Sequence, residues 1–143
     1  MAPGVAARGG GARLWRMFRT LIFALAVAGC VHAPPLPPAA HYVNMGSSFA
    51  AGVKTGPTPA GSPARCFQSE ANYAYLLAAR LSLSLTDVSC AGATSAHLLA
   101  AWNELPAQID AVTPDTRLVT ITIGGNDIAY VGNLTAASCA EGE

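Results

Sequence analysis

The stretch that decides the fold runs His41-Tyr42-Val43-Asn44-Met45 directly into Gly46-Ser47-Ser48-Phe49-Ala50-Ala51-Gly52. Residues 42–45 have the composition of a short strand, and the small residues from Gly46 onward permit a sharp turn. A serine in such a turn between strand and helix presents its hydroxyl as a nucleophile. The turn also falls at the carboxyl edge of a sheet, where open α/β folds bind ligands.

Downstream, strands and helices alternate. Residues 53–66 contain three prolines and two glycines and read as a surface loop. Ser69 is placed to cap a helix of about a dozen residues, with Glu70 in its first turn where a carboxylate suits the dipole. Ala74, Leu77, Ala78 and Leu81 give that helix one apolar face. Residues 85–88 form a short strand candidate leading into Ser89-Cys90-Ala91-Gly92-Ala93-Thr94. Further helices are expected over 95–102 and 106–112, the latter opening on Pro106. Leu118-Val119-Thr120-Ile121-Thr122-Ile123 is the clearest strand, β-branched at five of six positions, and it ends in Gly124-Gly125-Asn126-Asp127. This alternation implies a parallel sheet with helices on its faces.

The amino end has a different character. Four of the eight basic residues (Arg8, Arg13, Arg16 and Arg19) precede Cys30, and no acidic residue does. Leu21-Ile22-Phe23-Ala24-Leu25-Ala26-Val27-Ala28 is too short to span a bilayer but suits the apolar core of an export signal. The signal ends in Val27-Ala28-Gly29-Cys30, which resembles a bacterial lipobox, so residues 1–30 read as a lipoprotein-type signal peptide with Cys30 as the lipidated residue. Met17 offers an alternative start to Met1. Residues 31–41 form a proline-rich linker, extended and solvated, and His32 falls within it as a linker residue. The domain then occupies 42–143. The expected location is the cell envelope, either anchored through lipid or released to the periplasm or medium.

Beyond Cys30 the chain sets four basic against eight acidic side chains, a net of −4. A nucleic-acid partner is therefore excluded, because counterion release needs a basic face. No two cysteines or histidines have ligand spacing, so neither metal nor other cofactor is expected.

Three strand-to-loop junctions carry the polar residues: Ser47 and Ser48, then Gly92, then Asn126 and Asp127. Parallel strands align those junctions on one edge. A serine that attacks an ester carbonyl creates an oxyanion, which needs fixed N–H donors about 3 Å away. Backbone amides at glycine turns and an asparagine side chain supply such donors. Asp127 either caps the helix after it, the simpler reading, or holds the Asn126 loop.

Gly46-Ser47-Ser48-Phe49, Gly92 within Cys-Ala-Gly-Ala-Thr, and Gly124-Gly125-Asn126-Asp127 resemble blocks I, II and III of the SGNH hydrolases, the GDSL-type esterases and lipases. The resemblance covers roughly residues 42–133. It implies a flavodoxin-like three-layer α/β/α fold with its carboxyl-terminal part missing. It also implies Ser48 as nucleophile, an oxyanion hole formed by the N–H groups of Ser48 and Gly92 and the Asn126 side-chain amide, and a small-molecule ester or lipid as substrate. The chain departs from the family in two places. Ser47 stands where block I usually has aspartate, and its hydroxyl can still hydrogen-bond within the turn. Block V, with aspartate and histidine three residues apart, has no counterpart: Asp87, Asp110, Asp115 and Asp127 all lack a histidine at that offset, and the block falls beyond Glu143.

His41 begins the first strand and His97 lies on the helix after Gly92, so each is read as structural. Without a base, serine stays protonated and is a poor nucleophile. The polypeptide as given is therefore expected to have little or no esterase activity. Cys66 and Cys90 flank the first long helix and can pair, closing a loop of about 25 residues worth on the order of 3 kcal/mol. Cys139 then lacks a partner, whose place would be in the missing part. The competing reading, of a different class, is a non-catalytic envelope lipoprotein or binding module derived from the same fold.

Overall fold

The computed structural model describes residues 34–139. The export signal, Cys30 and His32 lie outside the described residues.

Strand β1 (His41–Gly46) begins one residue ahead of the expected 42 and is buried along nearly its whole length. It pairs in parallel with β2 (Ser84–Asp87) on one side and β3 (Thr116–Thr122) on the other, giving the order β2-β1-β3. Burial on both faces explains why β1 reads as a short apolar run rather than as an alternating pattern. The serine turn is thus at the end of the central strand, with one parallel neighbour on each side.

Helix α1 (Ser48–Ala51) follows the turn, and Ala50 and Ala51 seat it against the sheet. Helix α2 (Tyr73–Leu81) is shorter and later than the sequence suggests: Asn72, not Ser69, is its N-cap, and the Asn72 side chain accepts from the amides of Ala74 and Tyr75. Ser69 instead holds the approach, its hydroxyl accepting from the Ala71 amide. Both residue types cap helices equally well, and the loop packed beneath selects between them. Ala74 and Ala78 bury against Tyr42, with Leu77, Leu83, Leu85 and Leu118 around them, whereas Leu81 is exposed.

The two helices expected between β2 and β3 are much reduced. Helix α3 covers only Ala96–Leu99, Trp102 leaves it to form an isolated bridge with Leu105, and Gln108–Ala111 is a single 3-10 turn. Neither segment buries a full apolar stripe, so little packing energy supports longer helices. Helix α4 (Tyr130–Cys139) closes the described chain with no buried residue. Among the described residues no helix is long and apolar enough to cross a membrane.

The second core cluster is built on a disulfide. Cys66 and Cys90 are bonded, and Ala93, Trp102, Leu105 and Ile123 pack around them. Arg65 lies over the Trp102 ring, 3.9 Å from its centre, and pairs with Glu104 at 3.2 Å. Cys139 is exposed and free.

Candidate active site

Because all three strands run in parallel, the loops after β1, β2 and β3 emerge at one edge of the sheet. Hydrogen bonds tie them together. The Ser47 amide donates to the Thr122 carbonyl at 2.9 Å, joining the β1 loop to the end of β3. The Cys90 amide donates to the Gly46 carbonyl at 3.0 Å, joining the β2 loop to the β1 loop. Asn126 Nδ2 donates to the Ala93 carbonyl at 2.8 Å, joining the β3 loop to the β2 loop. Asp127 adds a second link between those two, its carboxylate accepting from the Ser95 amide and hydroxyl. Asp127 therefore does not cap the following helix: it holds the Asn126 loop against its neighbour. The Ser95 hydroxyl is the chief reason its carboxyl is held below the usual carboxylate range.

The serine turn needs glycine at its first position. Gly46 has φ +138°, and a Cβ there would lie 2.2 Å from the Thr122 carbonyl oxygen. The chain passes so close to β3 that only a residue without a side chain fits. Past the turn the two serines differ. Ser47 is buried, occupies the N-cap position of α1 and makes no side-chain capping bond. Ser48 is partly exposed and lines a cavity of about 260 Å³ with Phe49, Gly52, Val53 and Thr55. Of the two turn serines, Ser48 is the accessible one. The α1 carbonyls are also restrained: that of Ala51 accepts from the Ser69 amide and Asn72 Nδ2, and that of Ala50 from Asn44 Nδ2.

Gly92 is exposed, with φ +86°, and a Cβ would approach the Trp102 ring at 3.2 Å. Its loop is pinned to Cys66 just ahead of the glycine, by the Cys66–Cys90 bond and by the Ala91 amide donating to the Cys66 carbonyl. An asparagine amide carries two N–H groups, so the bond from Asn126 to Ala93 fixes the side chain and leaves a second donor.

Neither described histidine serves Ser48. His41 sits at the opposite end of β1, at least about 15 Å away along the strand, and both its ring nitrogens are engaged by Thr86 and Thr116. His97 stacks on Trp102 with ring centres 4.3 Å apart. Its Nδ1 accepts from the Thr94 amide at 2.9 Å. That bond places the neutral ring's proton on Nε2, which leaves no lone pair there to act as a base. Both rings are held by contacts that do not include Ser48. Among the described residues there is also no group of three or more His, Cys, Asp or Glu able to hold a metal ion.

Two contributors gave no motif signal. Asp87, at the end of β2, accepts from Asn44 Nδ2, Asn72 Nδ2 and the Ser89 amide and hydroxyl, so one carboxylate ties together β1, the start of α2 and the β2 loop. Gln108, buried in the 3-10 turn, bonds both backbone groups of Gly46. An acidic residue inside the strand candidate 85–88 was the available hint for Asp87. Gln108 offered none.

A parallel sheet in the order β2-β1-β3, with helices between its strands, belongs to a flavodoxin-like α/β fold. Residues 45–140 match the GDSL-like Lipase/Acylhydrolase family, and the chain belongs to it. Among curated proteins it is 38% identical over 115 residues to Lipase 2 of Streptomyces coelicolor, an alignment covering 76% of this chain and 38% of the relative. It is 33% identical over 118 residues to a lipase of Streptomyces rimosus, covering 80% and 41%. Among solved structures it resembles an extracellular lipase from Streptomyces rimosus, at 34% identity and TM-score 0.59 over 68% of this chain and 39% of that one. A phospholipase A1 from Streptomyces albidoflavus is similar at 35% identity and TM-score 0.58, with the same coverage. The chain thus spans about two fifths of the length of the relatives it matches.

Proposed function

We propose that this chain carries the nucleophile and oxyanion-binding part of an exported carboxylic ester hydrolase acting on a small ester or a lipid. The Ser48 hydroxyl oxygen attacks the ester carbonyl, forming a C–O bond as the carbonyl electrons move onto oxygen. The N–H groups of Ser48 and Gly92 and the free N–H of Asn126 hold that oxyanion. Collapse expels the alcohol, which takes up the proton, and water then releases the acid from the acyl-serine. The observation that supports this most strongly is the hydrogen bonding that ties the three loops together while leaving Ser48, and not Ser47, accessible.

The proton on Ser48 needs a base, and no described histidine reaches it. This polypeptide therefore hydrolyses esters slowly, with a residual rate that depends on the oxyanion donors. The signal over residues 1–30 and Cys30 supports export and lipid anchoring at the cell envelope. Incubation with a fluorophosphonate in the presence of imidazole as external base, followed by peptide mapping, tests the assignment: the adduct is expected on Ser48 and absent from the Ser48→Ala variant. An adduct on Ser47 or another serine instead of Ser48 would refute it.

A further inference from the structure

Gln108 stands in for a piece of β-strand. Strand β2 pairs with β1 only as far as Asn44 and Asp87, although Gly46 at the end of β1 still turns backbone groups toward that side. The Gly46 carbonyl keeps a partner there, the Cys90 amide. The Gly46 N–H finds no strand carbonyl and instead donates to Gln108 Oε1 at 2.7 Å, while Gln108 Nε2 donates back to the Gly46 carbonyl at 3.0 Å. A primary amide presents one acceptor and two donors, so it can satisfy a peptide group as another peptide would. Gln108 itself is 6% exposed and comes from 62 residues further along the chain.

The bond is placed where it controls the site. Gly46 immediately precedes Ser47 and Ser48, and its φ of +138° sets the direction in which they leave the strand. On the β3 side the turn is fixed by the Ser47 amide on Thr122. On the β2 side the Gly46 N–H has Gln108 alone among the described residues.

We propose that Gln108 is the positioning residue for the nucleophile turn, holding the Gly46 peptide so that Ser48 and its amide keep their orientation toward substrate. The role rests on Ser48 being the nucleophile, but its test does not. Gln108→Met keeps the length and removes both hydrogen bonds. Gln108→Glu makes the bond to the Gly46 carbonyl conditional: a neutral carboxyl accepts with one oxygen and donates with the other, as the amide does, whereas a carboxylate still accepts from the Gly46 N–H but is repelled by the Gly46 carbonyl. Burial against a carbonyl favours the neutral form, so the full rescue holds below the raised pKa of the introduced group and is lost above it.

The experiment is residue-resolved amide hydrogen exchange by NMR on the full chain, with α2 amides as internal reference. In Gln108→Met the protection of Gly46, and of Ser47 beside it, is expected to fall by about tenfold or more, as loss of a sole buried partner implies, with α2 unchanged. In Gln108→Glu it is expected to match the original at about pH 4.5 and to fall between the original and the Met variant at about pH 8, where the carboxylate keeps the Gly46 N–H but is repelled by the Gly46 carbonyl. Protection within about twofold of the original in Gln108→Met, loss spread equally over α2, or no pH dependence in Gln108→Glu overturns the proposal. If Gln108→Met does not fold, the Glu variant decides alone, because it restores both bonds at low pH. Failure of a fluorophosphonate to mark Ser48 in the unmodified chain with imidazole supplied as base refutes the esterase reading and leaves these exchange results unchanged.

Discussion

Replacing Gly46 by alanine separates two effects that glycine substitutions usually mix. An added Cβ would lie 2.2 Å from the Thr122 carbonyl oxygen and 2.9 Å from Ala50 Cβ, at a backbone φ of +138°. The carbonyl belongs to β3 and cannot rotate away, so relief requires the end of β1 to move off β3 by about 1 Å, which breaks ordinary hydrogen-bond geometry. That movement removes the bond from the Ser47 amide to Thr122, now 2.9 Å, at a cost of about 1 kcal/mol. Backbone strain at this φ adds about 1–3 kcal/mol. The residual crowding against Ala50 brings the total to about 3–5 kcal/mol, a large share of the 5–15 kcal/mol typical of a folded domain. Gly61 is the matched control. Its φ is also positive, at +78°, but a Cβ there meets nothing within 4 Å, so alanine costs only the conformational term of about 1–2 kcal/mol. Urea unfolding followed by circular dichroism measures both. With a slope of about 2 kcal/mol per molar and a difference of about 2.5 kcal/mol, the Gly46→Ala midpoint should fall about 1 M below that of Gly61→Ala. Midpoints within about 0.3 M of each other would refute the close approach of β1 and β3 as the reason for glycine.

Two further outcomes follow from the same structure. Replacing Cys66 and Cys90 together by alanine releases a loop of sequence separation 24 and should lower stability by about 3 kcal/mol in urea titrations. An unchanged midpoint would show that the cluster around Trp102 holds the Gly92 loop without the bond. Asp127 has a folded pKa lowered chiefly by the Ser95 hydroxyl, so its clasp is intact above the usual carboxylate range and opens as pH falls through that lowered value. Carboxyl-carbon NMR should place the Asp127 midpoint higher in Ser95→Ala than in the unmodified chain, and identical midpoints would remove Ser95 as the cause.

The parts legible in the sequence were those that depend on local pattern. The β-branched run at 118–123 could hardly be other than a strand, and the glycines at 46, 92 and 124 mark turns that need positive φ. Three strands alternating with helices then fixed the parallel order, and with it the common edge that gathers Ser48, Gly92 and Asn126. What stayed hidden depends on packing. Asn72 replaced Ser69 as a cap because the β1 loop lies beneath α2, where the Asn72 amide also reaches Ala51 and Asp87. The segments at 95–102 and 106–112 have helical composition, but they unwind around Trp102, whose ring is stacked on His97 and covered by Arg65. Gln108 looks like an ordinary polar helix residue until the fold places it where β2 falls short. A buried amide of this kind has no sequence signature, because its partner is a backbone group set by another element.

On the proposed reading, Ser48 is the nucleophile, Gly92 and Asn126 join its own amide as oxyanion donors, and no described histidine serves as its base. Hydrolysis of p-nitrophenyl acetate by the unmodified chain and by Ser48→Ala, each measured across a series of imidazole concentrations, tests it most directly. Free imidazole can take the proton that no described histidine is placed to accept. The account predicts nearly equal, slow rates without imidazole, and a difference between the two proteins that grows as imidazole is added. Rates that stay equal at every concentration would contradict the proposed oxyanion site, and a large Ser48-dependent rate without imidazole would show that the chain itself supplies a base.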